Sequence, residues 1–155
     1  MLRPPRYYRR GPWARLTEGL RYGGGLGQWA WLLHRVTGLG ILLYLIIHVI
    51  DTFLVVANPE EYDVVIGLYG GMVNGVPNTV LRWAFRLGEL GLIASVLFHA
   101  LNGLRVISFD FIPASTKYQK TYFWAVMILF WAVMLPVTCL VITPLFEAPV
   151  AAVTH

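Results

Sequence analysis

Three histidines lie within or beside long apolar runs, and an imidazole surrounded by hydrocarbon needs a partner. His99 is spaced from Gly88, Gly91, Ser95 and Gly103 at helical intervals, so a helix here presents one smooth face with an imidazole in it. Small residues let another helix, or a flat macrocycle, come close to the backbone. Haem iron accepts neutral imidazole nitrogen, and a neighbouring helix satisfies the same ring with a hydrogen bond; the residues alone leave both readings open. His48 shares a helical face with Thr37, Tyr44 and Asp51. His34 and Arg35 stand where the first apolar run leaves the interface. The planar fork of Arg35 suits a carboxylate or a carbonyl oxygen, although the usual task of such an arginine is to snorkel and set orientation. Arg82 and Arg86, one turn apart, could hold haem propionates or simply anchor the interface, with Glu89 near enough to pair with either. The sequence holds no nucleophile–base pair, no paired carboxylates in a soluble pocket and no metal-cluster signature. Hydrolytic chemistry has no support. The single cysteine, Cys139, cannot form an internal disulfide and reads as a small apolar side chain.

The elements that position these residues are membrane helices. Of 155 residues, 57% are hydrophobic and 13% charged, with a mean hydropathy of +0.63, against about a quarter charged in ordinary soluble domains. The apolar residues form three blocks at about residues 29–57, 87–107 and 122–145, each near the roughly 20 residues a spanning helix needs. The expected fold is therefore an all-α membrane protein: one membrane domain over residues 1–155, with three transmembrane helices behind a basic segment, 1–28. Residues 58–79, with acids, glycines and Asn-Val-Pro-Asn, read as a loop containing at most a short amphipathic piece at 62–69. Pro136 is expected to kink the third span, which membrane helices tolerate when neighbours satisfy the freed carbonyl. Gly23-Gly24-Gly25 reads as a flexible joint, since it lacks the strand context of a phosphate-binding loop. Residues 1–27 are basic and irregular, unlike a secretory signal.

The net charge of +4 points to orientation rather than to nucleic acid, because the charges flank the spans. Arg3, Arg6, Arg9, Arg10, Arg15, Arg21, Arg35, Arg105, Lys117 and Lys120 fall on one side of three alternating helices. Only Arg82 and Arg86, with most of the acids, fall on the other. The positive-inside rule puts the N-terminus in the cytoplasm and the C-terminus outside. Trp29, Trp31, Trp83, Tyr122 and Trp124 stand near span ends as interfacial aromatics do. At 1.5 Å per residue, His99 lies roughly 10–12 Å from the cytoplasmic end of its span, and His48 about 18 Å or more from that of the first. A depth difference of roughly 8 Å or more favours two haems at different levels; one tilted haem held by both histidines stays open.

The motifs in these spans carry a resemblance. Leu33-His34-Arg35-Val36-Thr37-Gly38 resembles the first-helix motif of succinate dehydrogenase cytochrome b subunits of the C type. His99-Ala100-Leu101-Asn102-Gly103-Leu104-Arg105, followed by Asp110, resembles their second-helix motif of a histidine, a glycine, an arginine and an aspartate. His48-Val49-Ile50-Asp51 is similar to the variant with an extra first-helix histidine. Three spans and this length fit as well, and the resemblance covers about residues 28–145. It implies a haem b-containing anchor in the bacterial or archaeal cytoplasmic membrane that pairs with a second small membrane subunit. Together they hold a flavoprotein with FAD and an iron–sulfur protein, and pass electrons from succinate to quinone. It implies His99 as an axial haem ligand and His48 as that of a second haem. It places Arg35 and Asp110 in the quinone region and His34 near a propionate or the quinone. Where many relatives have a quinone-serving serine this chain has Trp31, and Thr37 offers a hydroxyl one turn along. Three rivals stand beside this reading. A haem-free anchor would use its histidines only between helices. A cytochrome b of a formate dehydrogenase or hydrogenase usually has more spans and histidines. A transporter fragment would show a repeated half.

Overall fold

The computed structural model describes Trp13 and residues 25–146. Three long helices dominate: α1 (Gly25–Ala57, 33 residues), α3 (Thr79–Phe111, 33 residues) and α4 (Gln119–Phe146, 28 residues). Thirty-three residues make about 50 Å of helix, more than the roughly 30 Å of a hydrocarbon core, so each helix reaches into both interfaces. All three are long and apolar enough to cross a membrane. A helix is the form that lets a lone segment do so, because it bonds its own backbone. The expectation of a three-span all-α membrane protein holds. The arginines of residues 1–24, the start of the Gly23-Gly24-Gly25 joint and residues 147–155 lie outside the described part, apart from Trp13.

α3 lies between α1 and α4, which touch each other far less than either touches α3. Its packed side holds the few buried apolar groups, Ala30, Phe98, Phe123 and Met134, together with buried Asn102, Arg105 and Ser115. Most large aliphatic and aromatic side chains face outward, as they must when the solvent is lipid or another apolar chain.

The boundaries differ from the sequence reading at two places. α3 begins at Thr79 rather than near residue 87, because the Asn78 side chain caps it, accepting the Leu81 backbone N–H at 3.0 Å. The expected loop at 58–79 is largely structured. α2 (Pro59–Tyr69) has proline in its first turn, where no N–H is needed, and Glu60 and Glu61 at its positive end. A hairpin follows, pairing β1 (Met72–Val73) with β2 (Val76–Pro77). Its turn is Asn74-Gly75, with φ of 51° and 77°. That is the pair of left-handed residues that matches the twist of a tight hairpin. Gly71, at φ 82°, lies so close to α3 that an added Cβ would stand 2.6 Å from the Arg82 Cβ. α4 continues through Pro136 and also through Pro144.

α2 and the hairpin cap one end of the bundle. The Tyr69 hydroxyl donates to the Asp51 carboxylate at the end of α1, and its ring meets Phe85 of α3 edge-on at 4.9 Å. Bonding to Asp51 first, then burial and the nearby negative charge, push the Tyr69 phenol up from 10 to about 12. A raised phenol contributes its stabilisation fully below pH 10 and loses it as pH climbs through about 12. Tyr69→Phe should therefore leave the tyrosinate absorbance gained between pH 9 and about 11 unchanged and lower only the rise above it. Loss of a full tyrosine's signal near pH 10 would show that the hydroxyl is not held.

Candidate functional site

The α1–α3 seam brings two of the histidines together. α1 and α3 run antiparallel, and residues whose numbers add to about 137 stand level: the His99 ring lies against Gly38, and the His34 ring against Gly103. A Cβ at Gly38 would come within 2.9 Å of His99 Cε1, and one at Gly103 would be 3.6 Å from His34 Cε1. Each glycine is thus a seat for the other helix's imidazole. The two rings stack, with centroids 3.9 Å apart and planes 8° from parallel.

His99 Nδ1 lies 3.0 Å from the His34 carbonyl oxygen and 3.3 Å from Thr37 Oγ1. Thr37 donates its own proton to the Leu33 carbonyl at 2.8 Å, so its oxygen is free to accept. Both neighbours therefore call for an N–H at Nδ1, which leaves the lone pair on Nε2. A histidine whose Nδ1 is anchored on a carbonyl is prepared to ligate through its other nitrogen. His34 Nδ1, by contrast, is buried and unpartnered among the described residues.

The donor set fits one axial position of a haem iron, on His99. His34 cannot supply the opposite position in this arrangement, because two rings stacked face to face do not point their nitrogens at one atom from opposite sides. Nor can His48. It stands about 15–21 Å further along α1 than the residues touching His99, a wider gap than expected from the sequence. One iron cannot take both. His48 is exposed on the outer face of α1 and stacks on Tyr44 with centroids 5.4 Å apart. Its level is that of Arg86 and Glu89.

The other expected site residues are dispersed. Arg35 is exposed and lays its guanidinium over the Trp31 ring, 4.1 Å from its centroid. Thr37 is engaged with His99 and its own helix. Asp110 is exposed about 16 Å beyond His99 along α3. Arg82 donates to the Pro144 carbonyl at 2.6 Å and so ties α3 to the end of α4. Arg86 pairs with Glu89 at 2.7 Å. The small-residue stripe divides: Gly103 is covered by His34, while Gly88 and Gly91 have open space before them. Among the described residues no group of three or more histidines, cysteines or carboxylates could hold a bare metal ion.

Two buried polar residues escaped the sequence reading. Asn102, 2% exposed, donates to the Ala30 carbonyl of α1 at 3.4 Å and accepts from Arg105 Nη1 at 3.2 Å. Arg105, 7% exposed, was counted there only as an orienting charge. Its place three residues after an asparagine within a span was the available signal.

The fold and this seam define a three-span membrane subunit whose central helix carries the polar contacts to both neighbours. Residues 15–135 match the succinate dehydrogenase/fumarate reductase transmembrane subunit family. The chain is 36% identical to succinate dehydrogenase 2 membrane subunit SdhC of Mycobacterium tuberculosis over 74% of its own length and 76% of the relative's. It is 31% identical to the succinate dehydrogenase hydrophobic membrane anchor subunit of Halobacterium salinarum over 66% of its length and 71% of that chain. The chain belongs to this family and is a multi-pass membrane subunit of a succinate dehydrogenase, an oxidoreductase complex of the cytoplasmic membrane.

Proposed function

We propose that this chain is the haem b-carrying anchor through which succinate dehydrogenase delivers electrons to membrane quinone. The observation that carries the reading is His99 Nδ1 held by the His34 carbonyl and Thr37, which commits Nε2 to ligation. Haem, when bound, supplies a one-electron relay inside the membrane. This chain's part is to fix the imidazole plane between Gly38 and His34 and to keep the seam dry. A second anchor subunit supplies the opposite ligand and the other wall, against the outward apolar faces. His34 Nδ1 is the group left to bond a propionate or a quinone oxygen. An iron–sulfur subunit and an FAD flavoprotein dock at the end where α1 starts, which the charge bias makes cytoplasmic.

His48 is the ligand of a second haem near the opposite face, with Arg86 level with it for a propionate. Its exposure suits completion by another chain. A reduced-minus-oxidised spectrum of the complex purified with its companions tests the whole reading. A b-type signal upholds it, and colourless material would leave a haem-free anchor.

Quinone binds beside Arg35, whose guanidinium is presented by Trp31 to the surface of α1. Arg35→Leu should lower succinate-to-quinone turnover about tenfold or more, the scale of one lost charge-assisted contact to a carbonyl oxygen, while dye-linked succinate oxidation stays intact. Equal loss of both activities would mean failed assembly instead.

A further inference from the structure

The buried arginine of α3 points to a site that neither haem nor quinone accounts for. Arg105 sits where α1 begins, α3 nears its end and α4 begins. There it lines an open pocket with Leu26, Gly27, Gln119 and Lys120. A guanidinium carries five N–H donors and a fixed charge. Here Nη1 meets the Asn102 side-chain oxygen at 3.2 Å, Nη2 meets the Gln119 carbonyl at 3.5 Å, and Nε has no partner. The faces of Phe109 and Phe123, 5.2 and 5.8 Å away, offset part of the charge. No carboxylate does: the ion pair among the described residues is Arg86–Glu89. A buried charge without a counter-ion is costly, and Lys120 adds a second positive charge to the same pocket rather than relieving it.

We propose that Arg105 and Lys120 form an oxyanion site that takes the phosphate of an anionic phospholipid. The pocket opens at the end of three membrane helices, where headgroup phosphates lie. Gly27 contributes no side chain to obstruct it, Leu26 is apolar, and exposed Trp29 stands two residues further along α1. A guanidinium that still has a free donor, beside a mobile ammonium, suits a phosphodiester: the first fixes one oxygen, and the second adds charge without demanding geometry.

The test uses the complete complex in detergent, washed free of lipid and titrated with phosphatidylglycerol, with bound lipid read by native mass spectrometry. Lys120→Ala should weaken phosphatidylglycerol binding about fivefold. Lys120→Arg and Lys117→Ala, the latter outside the pocket, should leave it unchanged. Arg105→Gln should abolish tight binding if the complex assembles, and Lys120→Ala decides the matter if it does not. Phosphatidylcholine should bind more weakly than phosphatidylglycerol, and millimolar inorganic phosphate should not displace the lipid. Displacement by inorganic phosphate would make this a free-phosphate site and overturn the lipid assignment. Unchanged lipid binding in Lys120→Ala would overturn it too, as would a haem absorbance that falls while lipid binding persists, which would give the arginine to a propionate. None of these readouts requires that His99 ligate iron, so the site stands or falls apart from the haem reading.

Discussion

Replacing His99 with alanine removes the b-type absorbance of the haem that the α1–α3 seam supports, and leaves succinate oxidation by soluble dyes in place. Removing a partner that merely orients a metal ligand costs roughly 10–100-fold in affinity, and deleting the ligand itself should exceed that. The geometry sharpens the expectation. His34 is the nearest imidazole, stacked at 3.9 Å, yet its ring is parallel to that of His99 and cannot swing to the same coordination point without unseating from Gly103. A neighbouring histidine will therefore not rescue the variant. Because His48 lies about 15–21 Å away along α1, a second haem at that level should survive. Pyridine haemochrome counting should then find half the haem per complex in a two-haem enzyme and none in a one-haem enzyme. His48→Ala should give the complementary loss in the former and no loss in the latter. An assembled His99→Ala complex with its full spectrum would sink the ligand assignment.

Gly38→Ala should produce the second large effect, of about tenfold or more in haem affinity, while making α1 itself more helical. Alanine is favoured over glycine within a helix by about 1 kcal/mol, so thermal stability of the helix and haem retention should move in opposite directions. The new methyl would come within 2.9 Å of His99 Cε1. The imidazole has little freedom to retreat, since His34 stacks on it and Nδ1 is bonded to α1. Gly40→Ala is the control. It is two residues away on the same helix, with nothing within 4 Å of an added Cβ, and it should leave the spectrum unchanged. Equal spectra in both variants would mean that the ring is not seated as described.

The sequence makes the number of spans legible because apolar length is a direct consequence of the bilayer's thickness. It conceals how the spans register. Nothing in residues 29–57 says that Gly38 faces His99, since that depends on how deep α1 and α3 sit relative to each other, and helix ends set that depth. The start of α3 was misplaced because the stretch from Val80 to Arg86 is too polar for a lipid-buried helix, although Asn78 before Thr79 was a cap in plain view. The hairpin was missed although Asn74-Gly75 between valines signals one; four strand residues are too few to outweigh a glycine-rich setting. His34 and Thr37 were expected near quinone on the strength of resemblance, whereas the structure turns both toward His99. Arg105 shows the opposite failure. Counted with the other cations for topology, it was never examined as a buried group, though an arginine six residues inside a helix end is hard to bring to water.

The direction of the contacts between helices has a consequence for how this chain can change over time. His99 reaches the carbonyl of His34, Asn102 that of Ala30, Arg105 that of Gln119 and Arg82 that of Pro144. In every pair α3 supplies a side chain and its neighbour supplies main chain. A carbonyl survives any substitution at its own residue, limited only by the room there, whereas the donor does not. Drift should therefore be lopsided, with the acceptor positions on α1 and α4 free to wander in identity while the four donors on α3 stay put. The helix in the middle holds the instructions, and the two beside it need only keep their shape.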